Sequence, residues 1–82
     1  MKILILPKAK KSLLKIPVDI QVKITDKIDA LSKDPYPKSA KKLTNQPGYR
    51  IRIGDWRVLY LVDNRKQTIF IARIAHRREA YR

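Results

Sequence analysis

The sequence predicts an α+β fold in which an N-terminal strand and two helices precede three strands of a small antiparallel sheet (β-α-α-β-β-β). Three observations favour it: an aliphatic run at the start, helical periodicity in the middle, and alternating apolar and polar residues towards the end. Because helical and strand patterns are segregated along the chain, both helices are expected on one face of the sheet, before a short C-terminal tail. At 82 residues, we expect a single domain spanning 1–82.

The first half of the chain predicts one strand and two helices. Residues 1–6 contain four consecutive aliphatic residues before Pro7, which is typical of a short strand. A helix is predicted over residues 8–15, and Pro17 interrupts it because the residue before a proline avoids the helical region. A longer helix is predicted over residues 17–33, with a core-facing stripe at helical spacing: Ile20, Ile24, Ile28 and Leu31.

The second half predicts three strands, over residues 49–53, 56–62 and 68–76. Gly54 and Asp55 separate the first two strands and fit a two-residue hairpin turn, in which glycine supplies the positive φ.

This turn fixes the pairing of the hairpin, starting with Ile53 opposite Trp56, and directly paired residues share a face of the sheet. One face then carries only apolar side chains: Tyr49, Ile51, Ile53, Trp56, Val58, Tyr60 and Val62. The opposite face, which we call the arginine face, carries Arg50, Arg52 and Arg57.

The last strand could present either side to the helices. We expect the side that carries Thr68, Phe70, Ala72 and Ile74 to face them. The other choice would bury Arg73 in the core, which is costly without a partner. The arginine face would then gain Ile69, Ile71, Arg73 and Arg77. The two isoleucines, with Leu59 and Leu61, would form an apolar strip there for the tail or a partner segment to cover.

The charge indicates a polyanionic partner. The chain contains 20 Lys and Arg residues but only seven Asp and Glu residues, which gives a net charge of +13. Every lysine except Lys66 lies in the first 42 residues, whereas all eight arginines fall between Arg50 and Arg82. Since the planar arginine fork suits phosphate, the second half predicts a binding site and the first half a general attraction.

Composition also argues against several classes of site. The chain has no cysteine and a single histidine, so we expect no disulfide framework, no metal site and no cofactor. The opening aliphatic run is too short for a bilayer and lacks a small-residue cleavage site, which favours a strand over a signal peptide. We expect a cytoplasmic protein with no membrane partner and no small-molecule ligand.

Two motifs carry a resemblance to a known family. Gly-Tyr-Arg-Ile-Arg-Ile-Gly-Asp-Trp-Arg at residues 48–57, followed by Arg-Ile-Ala-His-Arg-Arg-Glu-Ala-Tyr at residues 73–81, resembles the RelE/ParE toxin superfamily, closest to its RelE branch. The resemblance covers essentially the whole chain. It implies the toxin of a toxin–antitoxin pair: an mRNA interferase that enters the ribosomal A site, cleaves the codon there and is held inactive by a cognate antitoxin.

The resemblance also implies site residues. The family's catalytic positions correspond to Arg50, Arg52, Arg57, Arg77 and Tyr81, with His76 at a position that is often basic or histidine. Arg50 and Arg52 replace lysines of the best-known RelE pattern. Because arginine stays protonated, neither is a good general base.

Metal-free RNA cleavage must deprotonate a 2′-OH, stabilise charge on phosphorus and protonate the leaving 5′-oxygen. We assign Arg57 and Arg77 to the scissile phosphate. Phosphate or RNA contacts are assigned to Arg50, Arg52, Arg73 and Arg78. Histidine titrates near neutral pH, and a phenol among cations ionises more readily, so either His76 or Tyr81 could be the general base, with the other or an arginine aiding the leaving group. Tyr81 is favoured, as the general base or as a residue that stacks on a nucleobase.

Two alternatives remain open. A ParE-like member of the same fold would poison DNA gyrase and cut no RNA. A non-catalytic nucleic-acid-binding module would use its arginines only to grip the phosphate backbone.

Overall fold

The computed structural model describes residues 1–78, so Tyr81 and the rest of the predicted tail lie outside the described residues. Its elements are β1 (Lys2–Ile5), α1 (Pro7–Leu14), α2 (Val18–Leu31), β2 (Lys41–Lys42), β3 (Tyr49–Ile53), β4 (Trp56–Asp63) and β5 (Thr68–His76). The α+β fold is confirmed. The helices lie within two residues of their predicted bounds.

The strands form one five-stranded sheet in the order β1-β5-β4-β3-β2. β1 runs parallel to β5, whereas all other neighbours are antiparallel. The sheet is therefore mixed: the predicted antiparallel pairing holds for every pair of neighbours except β1 and β5. Because β1 leaves through helices rather than a hairpin, its pairing direction is not fixed by a turn.

β2 was not predicted. It contains only Lys41 and Lys42, which pair with Arg50 and Tyr49 at the edge of the sheet. Two exposed lysines carry no apolar alternation, so no sequence pattern predicts a strand there.

The core lies between the two helices and one face of the sheet. The helices contribute Ala9, Leu13, Ile16, Ile24, Ile28 and Leu31 to it. The sheet contributes Ile51, Ile53, Val58, Tyr60, Ile69, Ile71 and Ile74. Both helices thus cover the predicted apolar face and leave the arginine face without a helix among residues 1–78. Neither helix is long and apolar enough to cross a membrane.

Because β5 contains a β-bulge, part of this strand presents its side chains to the opposite side of the sheet from the one predicted. Leu59 pairs with Arg73, but the next residue, Tyr60, pairs with Ile71, so Ala72 is the extra residue. The bulge reverses the alternation. Ile74 faces the helices and Arg73 the arginine face, as predicted, but Ile69 and Ile71 also face the helices.

Thr68 and Phe70 consequently do not face the helices. They pair with Asp63 and Leu61, on the side of the sheet opposite the core. The physical reason is the packing of three isoleucines, at 69, 71 and 74, which reach one core only if the strand gains a residue between the second and the third.

Aromatic packing anchors the loop after α2. The buried Tyr60 hydroxyl donates a hydrogen bond to the Pro35 carbonyl at 2.7 Å. Its ring stacks on Tyr49 with centroids 5.8 Å apart, and Tyr36 meets Tyr49 edge-on at 5.2 Å. Burial raises the pKa of Tyr60 from 10.0 to about 12, and nearby Tyr49 and Asp34 add to the shift.

Gly48 should tolerate no side chain. Its φ is +112°, and a Cβ there would lie 2.8 Å from the Tyr60 carbonyl oxygen. We expect Gly48→Ala to lower the free energy of unfolding by roughly 3 kcal/mol, from strain and close contact together. Gly54→Ala is the matched control, since Gly54 has φ +60° but open space around it, and should cost about 1–2 kcal/mol. Equal losses in urea unfolding would contradict the close approach of Gly48 to β4.

Tyr60 should make stability depend on alkaline pH. Because its pKa is about 12 in the folded chain and 10.0 in the reference state, its contribution is fully present below pH 10 and is lost as pH rises towards 12. Tyr60→Phe should cost about 1 kcal/mol at pH 7 through the lost hydrogen bond, and should flatten the decline between pH 10 and 12. Urea unfolding across that range tests this, with Tyr36→Phe as a control; an unchanged slope in Tyr60→Phe would refute it.

Candidate nucleic-acid interface

The hairpin of β3 and β4 has the predicted register. Gly54 adopts φ +60°, and Ile53 pairs with Trp56, Arg52 with Arg57, and Arg50 with Leu59. Arg50, Arg52 and Arg57 therefore share the face opposite the helices. Arg73 joins them, because it pairs with Leu59 from the other side. The arginine face thus consists of two adjacent cross-strand rows.

The first row runs across four strands and contains Lys41, Arg50, Leu59 and Arg73. The second contains Arg52, Arg57 and Ala75. Leu59 and Ala75 are buried and pack with Leu43, so an apolar patch separates the cations of this face. Lys41 lies in the first half of the chain, for which a general attraction to polyanions was predicted, and its place in the row depends on a pairing that the sequence did not signal.

Arg57 has an unusual environment for a cation. It is only 5% exposed. Its Nη1 lies 3.5 Å from the Gly54 carbonyl and 3.4 Å from the Trp56 carbonyl, both long for hydrogen bonds. Nε is buried and has no hydrogen-bond partner in the part of the chain described. A buried guanidinium with an unused donor is suited to an anion, which would supply the missing acceptor.

Access to that guanidinium is restricted. Because Arg57 is nearly buried, a phosphate could reach it only after side chains on the arginine face rearrange. Arg52, directly opposite, is exposed, while Arg50 and Arg73 are half-buried. Arg52 is therefore the member of this cluster that a polyanion meets first.

Arg77 and Arg78 follow β5 at the hairpin end of the sheet. The Arg77 backbone N–H donates to the Asp55 carbonyl at 2.7 Å, and its Nη1 lies 3.9 Å from Asp55 Oδ1. Both side chains are largely exposed, so this ion pair adds little stability and leaves Arg77 available to another anion. Arg78 is exposed, and its backbone N–H donates to His76 Nδ1 at 3.4 Å.

His76 lies on the other side of the sheet from the arginine face. It pairs with Trp56, a residue of the helix-facing side, and meets the Trp56 ring edge-on with centroids 5.4 Å apart. The structure therefore does not bring His76 together with Arg57. Residues 1–78 contain no group of three or more acidic, cysteine or histidine side chains able to hold a metal ion.

An apolar row crosses the sheet beside the cations. Leu4 pairs with Phe70, which pairs with Leu61, on the same side as Arg73. Leu4 is 47% exposed and Leu61 36% exposed. The predicted apolar strip exists, but it contains Leu4 and Phe70 in place of Ile69 and Ile71.

Comparisons with known proteins agree with this architecture. Residues 3–81 match the model of a family described as the ParE toxin of the type II toxin–antitoxin system parDE. No curated protein is a significant match.

Several solved structures are similar over nearly the whole chain. The toxin–antitoxin complex RelBE2 of Mycobacterium tuberculosis contains a chain with a TM-score of 0.81 and 26% identity, over 92% of this chain and 95% of that one. The archaeal RelE–RelB complex of Pyrococcus horikoshii contains a chain with a TM-score of 0.80 and 26% identity, and the match covers 96% of this chain and 97% of that one. The RelB–RelE complex of Methanococcus jannaschii contains a chain with a TM-score of 0.77 and 26% identity, and the match covers 95% of this chain and 94% of that one.

Given the family match along 3–81 and the likeness to RelE toxins, this chain belongs to the ParE toxin family of type II toxin–antitoxin systems and, within the RelE/ParE superfamily, to the RelE-type branch.

Proposed function

We propose that this toxin is a ribosome-dependent endoribonuclease that cleaves mRNA in the A site, and hence acts in the cytoplasm. The observation that carries the proposal is the buried Arg57, whose Nε has no hydrogen-bond partner within residues 1–78, inside a cluster of arginines on one face of the sheet. Such a cluster suits a reaction in which negative charge grows on a phosphate.

The proposed reaction is attack of a ribose 2′-oxygen on the adjacent phosphorus. The new P–O2′ bond forms as the P–O5′ bond breaks, which leaves a 2′,3′-cyclic phosphate and a 5′-hydroxyl. Arg57 would donate to the non-bridging oxygens of the scissile phosphate, and Arg77 would assist from the hairpin end. Arg50, Arg52, Arg73 and Arg78 would bind neighbouring phosphates or RNA. Their forked donors stabilise the added charge, and no step assigned to them requires a metal ion.

The proton transfers need a different group, since arginine stays protonated. His76 faces Trp56 on the helix side, which argues against direct contact with the phosphate held by Arg57. We therefore favour Tyr81, a residue that lies outside the described part of the chain, as the base that takes the 2′-OH proton, while solvent water supplies the proton that completes the 5′-hydroxyl. His76 would then act by positioning the strand end through its contacts with Trp56 and the Arg78 backbone.

One observation favours a second candidate function. The family whose model matches is that of ParE toxins, which supports the ParE-like alternative, inhibition of DNA gyrase without RNA cleavage. His76 lies on the side of the sheet opposite Arg57, which is also compatible with a protein that performs no acid–base chemistry. The arginine cluster favours the nuclease, because a gyrase inhibitor has no need for a buried phosphate-binding guanidinium.

Removing the guanidinium of Arg57 should abolish most cleavage. We expect Arg57→Met, which keeps the side-chain length, to reduce A-site cleavage about 10²–10³-fold, and Arg57→Lys to recover part of the loss. The measurement is toeprinting of a translated message, with Arg65→Met as a charge-matched control on an exposed turn residue and Tyr81→Phe as a test of the base.

The possible outcomes distinguish the three candidate functions. Codon-internal cuts that persist in Arg65→Met and vanish in Arg57→Met support the nuclease. Absence of cuts by the wild-type toxin, with inhibition of gyrase supercoiling, would establish the ParE-like alternative. RNA binding with neither activity would leave a non-catalytic binding module.

We also propose a cognate antitoxin as the partner that covers the apolar row of Leu4, Phe70 and Leu61. The similar toxins from Mycobacterium tuberculosis and Pyrococcus horikoshii were solved in complexes with antitoxins. The row lies beside several arginines in a chain of net charge +13. The surface therefore suits a segment with apolar side chains on one side and carboxylates next to them.

A charge placed in the apolar row should weaken antitoxin binding. We expect Leu61→Lys to reduce affinity at least tenfold, because an ammonium group would be desolvated in the interface. Leu14→Lys is the control, since Leu14 is exposed at 66% at the end of α1. Titration calorimetry with the co-expressed antitoxin measures both, and equal effects would rule out docking on this row.

A further inference from the structure

The outer side of α2 combines valines with aspartates, which sets it apart in this basic chain. Three of the seven acidic residues of the sequence, Asp19, Asp26 and Asp29, lie on this helix. Val18 and Val22 are 74% and 54% exposed. Spacings of three, four and seven residues put all five on one side of the helix, away from its buried isoleucines. We call these five residues the acidic stripe.

Nothing within residues 1–78 covers the acidic stripe. All five side chains are exposed, and none of the three carboxylates forms an ion pair with another described residue. The stripe points away from the sheet, because α2 packs on the sheet through Ile24, Ile28 and Leu31. The arginine face lies on the other side of the sheet, so these two surfaces of one molecule cannot meet. A contact between them needs a second molecule.

The apolar row and the arginines beside it have the complementary chemistry. Leu61 belongs to the apolar row, and Leu59, two residues earlier on β4, lies in the neighbouring row between Arg50 and Arg73. Two residues along a strand separate the two rows by about 7 Å. A segment that fills this surface therefore needs apolar groups and carboxylates at a similar separation.

The acidic stripe has that separation. Asp26 and Asp29 follow Val22 by four and seven residues, which is about 6 and 10 Å along the helix axis. A helix laid with Val18 and Val22 on the apolar row would bring these carboxylates to the adjacent arginines. The chain thus carries both an amphipathic acidic helix and the surface that such a helix fits.

We propose that the acidic stripe of one copy of this chain docks on the apolar row and adjacent arginines of a second copy. The contact joins two different surfaces, so each added copy still offers one of each kind. Every copy has a net charge of +13, and this repulsion opposes association. Because salt screens it beyond about 8 Å at physiological ionic strength, the charges in contact decide, and association is weak and depends on concentration.

The contact would cover part of the arginine face of the second copy and place carboxylates across the approach to Arg57. Toxin that accumulates without its antitoxin would therefore limit its own activity. This consequence rests on the proposed function, whereas the contact between the copies does not.

Two variants of equal charge test the contact. Val22→Lys blocks the helix side, Leu61→Lys blocks the sheet side, and each adds one positive charge. In sedimentation velocity up to about 1 mM, a range that populates weak complexes, wild type should associate. Each variant alone should associate at least tenfold more weakly, because an ammonium group would be desolvated against apolar side chains and arginines. Since each keeps the surface that the other lacks, an equimolar mixture should form a 1:1 dimer and nothing larger.

Three results would overturn the proposal. One is a wild type that stays monomeric throughout the series. Another is a mixture that associates no better than either variant alone. The third is loss of association in only one of the two variants, which would show that copies pair through like surfaces, stripe to stripe or row to row.

The carboxylates are tested at constant net charge. Asp26→Asn/Asp29→Asn removes two negative charges, and Lys10→Gln/Lys11→Gln, at two exposed lysines of α1, removes two positive ones. The fourfold variant should associate about tenfold more weakly than the lysine pair alone. Equal association would rule out pairing between the aspartates and the arginines.

Cleavage measured across the same concentrations tests the consequence. Message cleavage per toxin molecule should fall as wild-type toxin is concentrated but stay constant for Val22→Lys. Constant cleavage by an associating wild type would show that the contact leaves the arginines open, contrary to the proposal. A toxin that associates as proposed but leaves every message uncut would retain the contact and lose the proposed nuclease activity.

Discussion

The tight turn at Gly54 and Asp55 is the constraint on which the other features depend. Strand side chains alternate between faces, so a slip of one residue would turn one strand of the hairpin over relative to the other. If β3 turned over, Arg50 and Arg52 would enter the core in place of Ile51 and Ile53; if β4 did, Arg57 would enter it in place of Val58. The observed register buries the isoleucines beneath the helices. The same turn therefore determines the core and gathers the cations opposite it.

The gathered cations are unfavourable in the free protein. Arg52 lies directly opposite Arg57, and like charges in that position destabilise a sheet. Arg57 is also nearly buried, its Nε finds no acceptor among the residues that the structure describes, and a buried donor without an acceptor costs free energy. An anion on this face would remove both penalties at once. Features that cost stability in the empty site would thus contribute to affinity once an anion binds, which supports a phosphate-binding rather than a structural role.

The hairpin could be predicted because its sequence signals are local. Strand pairings between residues far apart in the chain could not be predicted. The turn residues and the strict alternation from Tyr49 to Val62 fixed the register and placed three arginines correctly. The parallel pairing of β1 and the short β2 depend on contacts between distant residues, for which the sequence carries no turn signal. The bulge at Ala72 did leave a trace, because isoleucines at 69, 71 and 74 do not fit one unbroken alternation. The position of His76 opposite Trp56 follows from that pairing, and the sequence motif alone gave no indication of it.

The arrangement of the arginine face also links the two proposed ligands, RNA and the antitoxin. The apolar row of Leu4, Phe70 and Leu61 lies beside the row that contains Arg73 and Arg50. An acidic partner seated on the apolar row would place carboxylates next to these guanidinium groups and occupy the approach to Arg57. RNA and antitoxin would then compete for the same cations, and because coupling between two ligands is reciprocal, each must weaken the other by the same factor. Inhibition would require no conformational change in the toxin, only a carboxylate in the place of a phosphate.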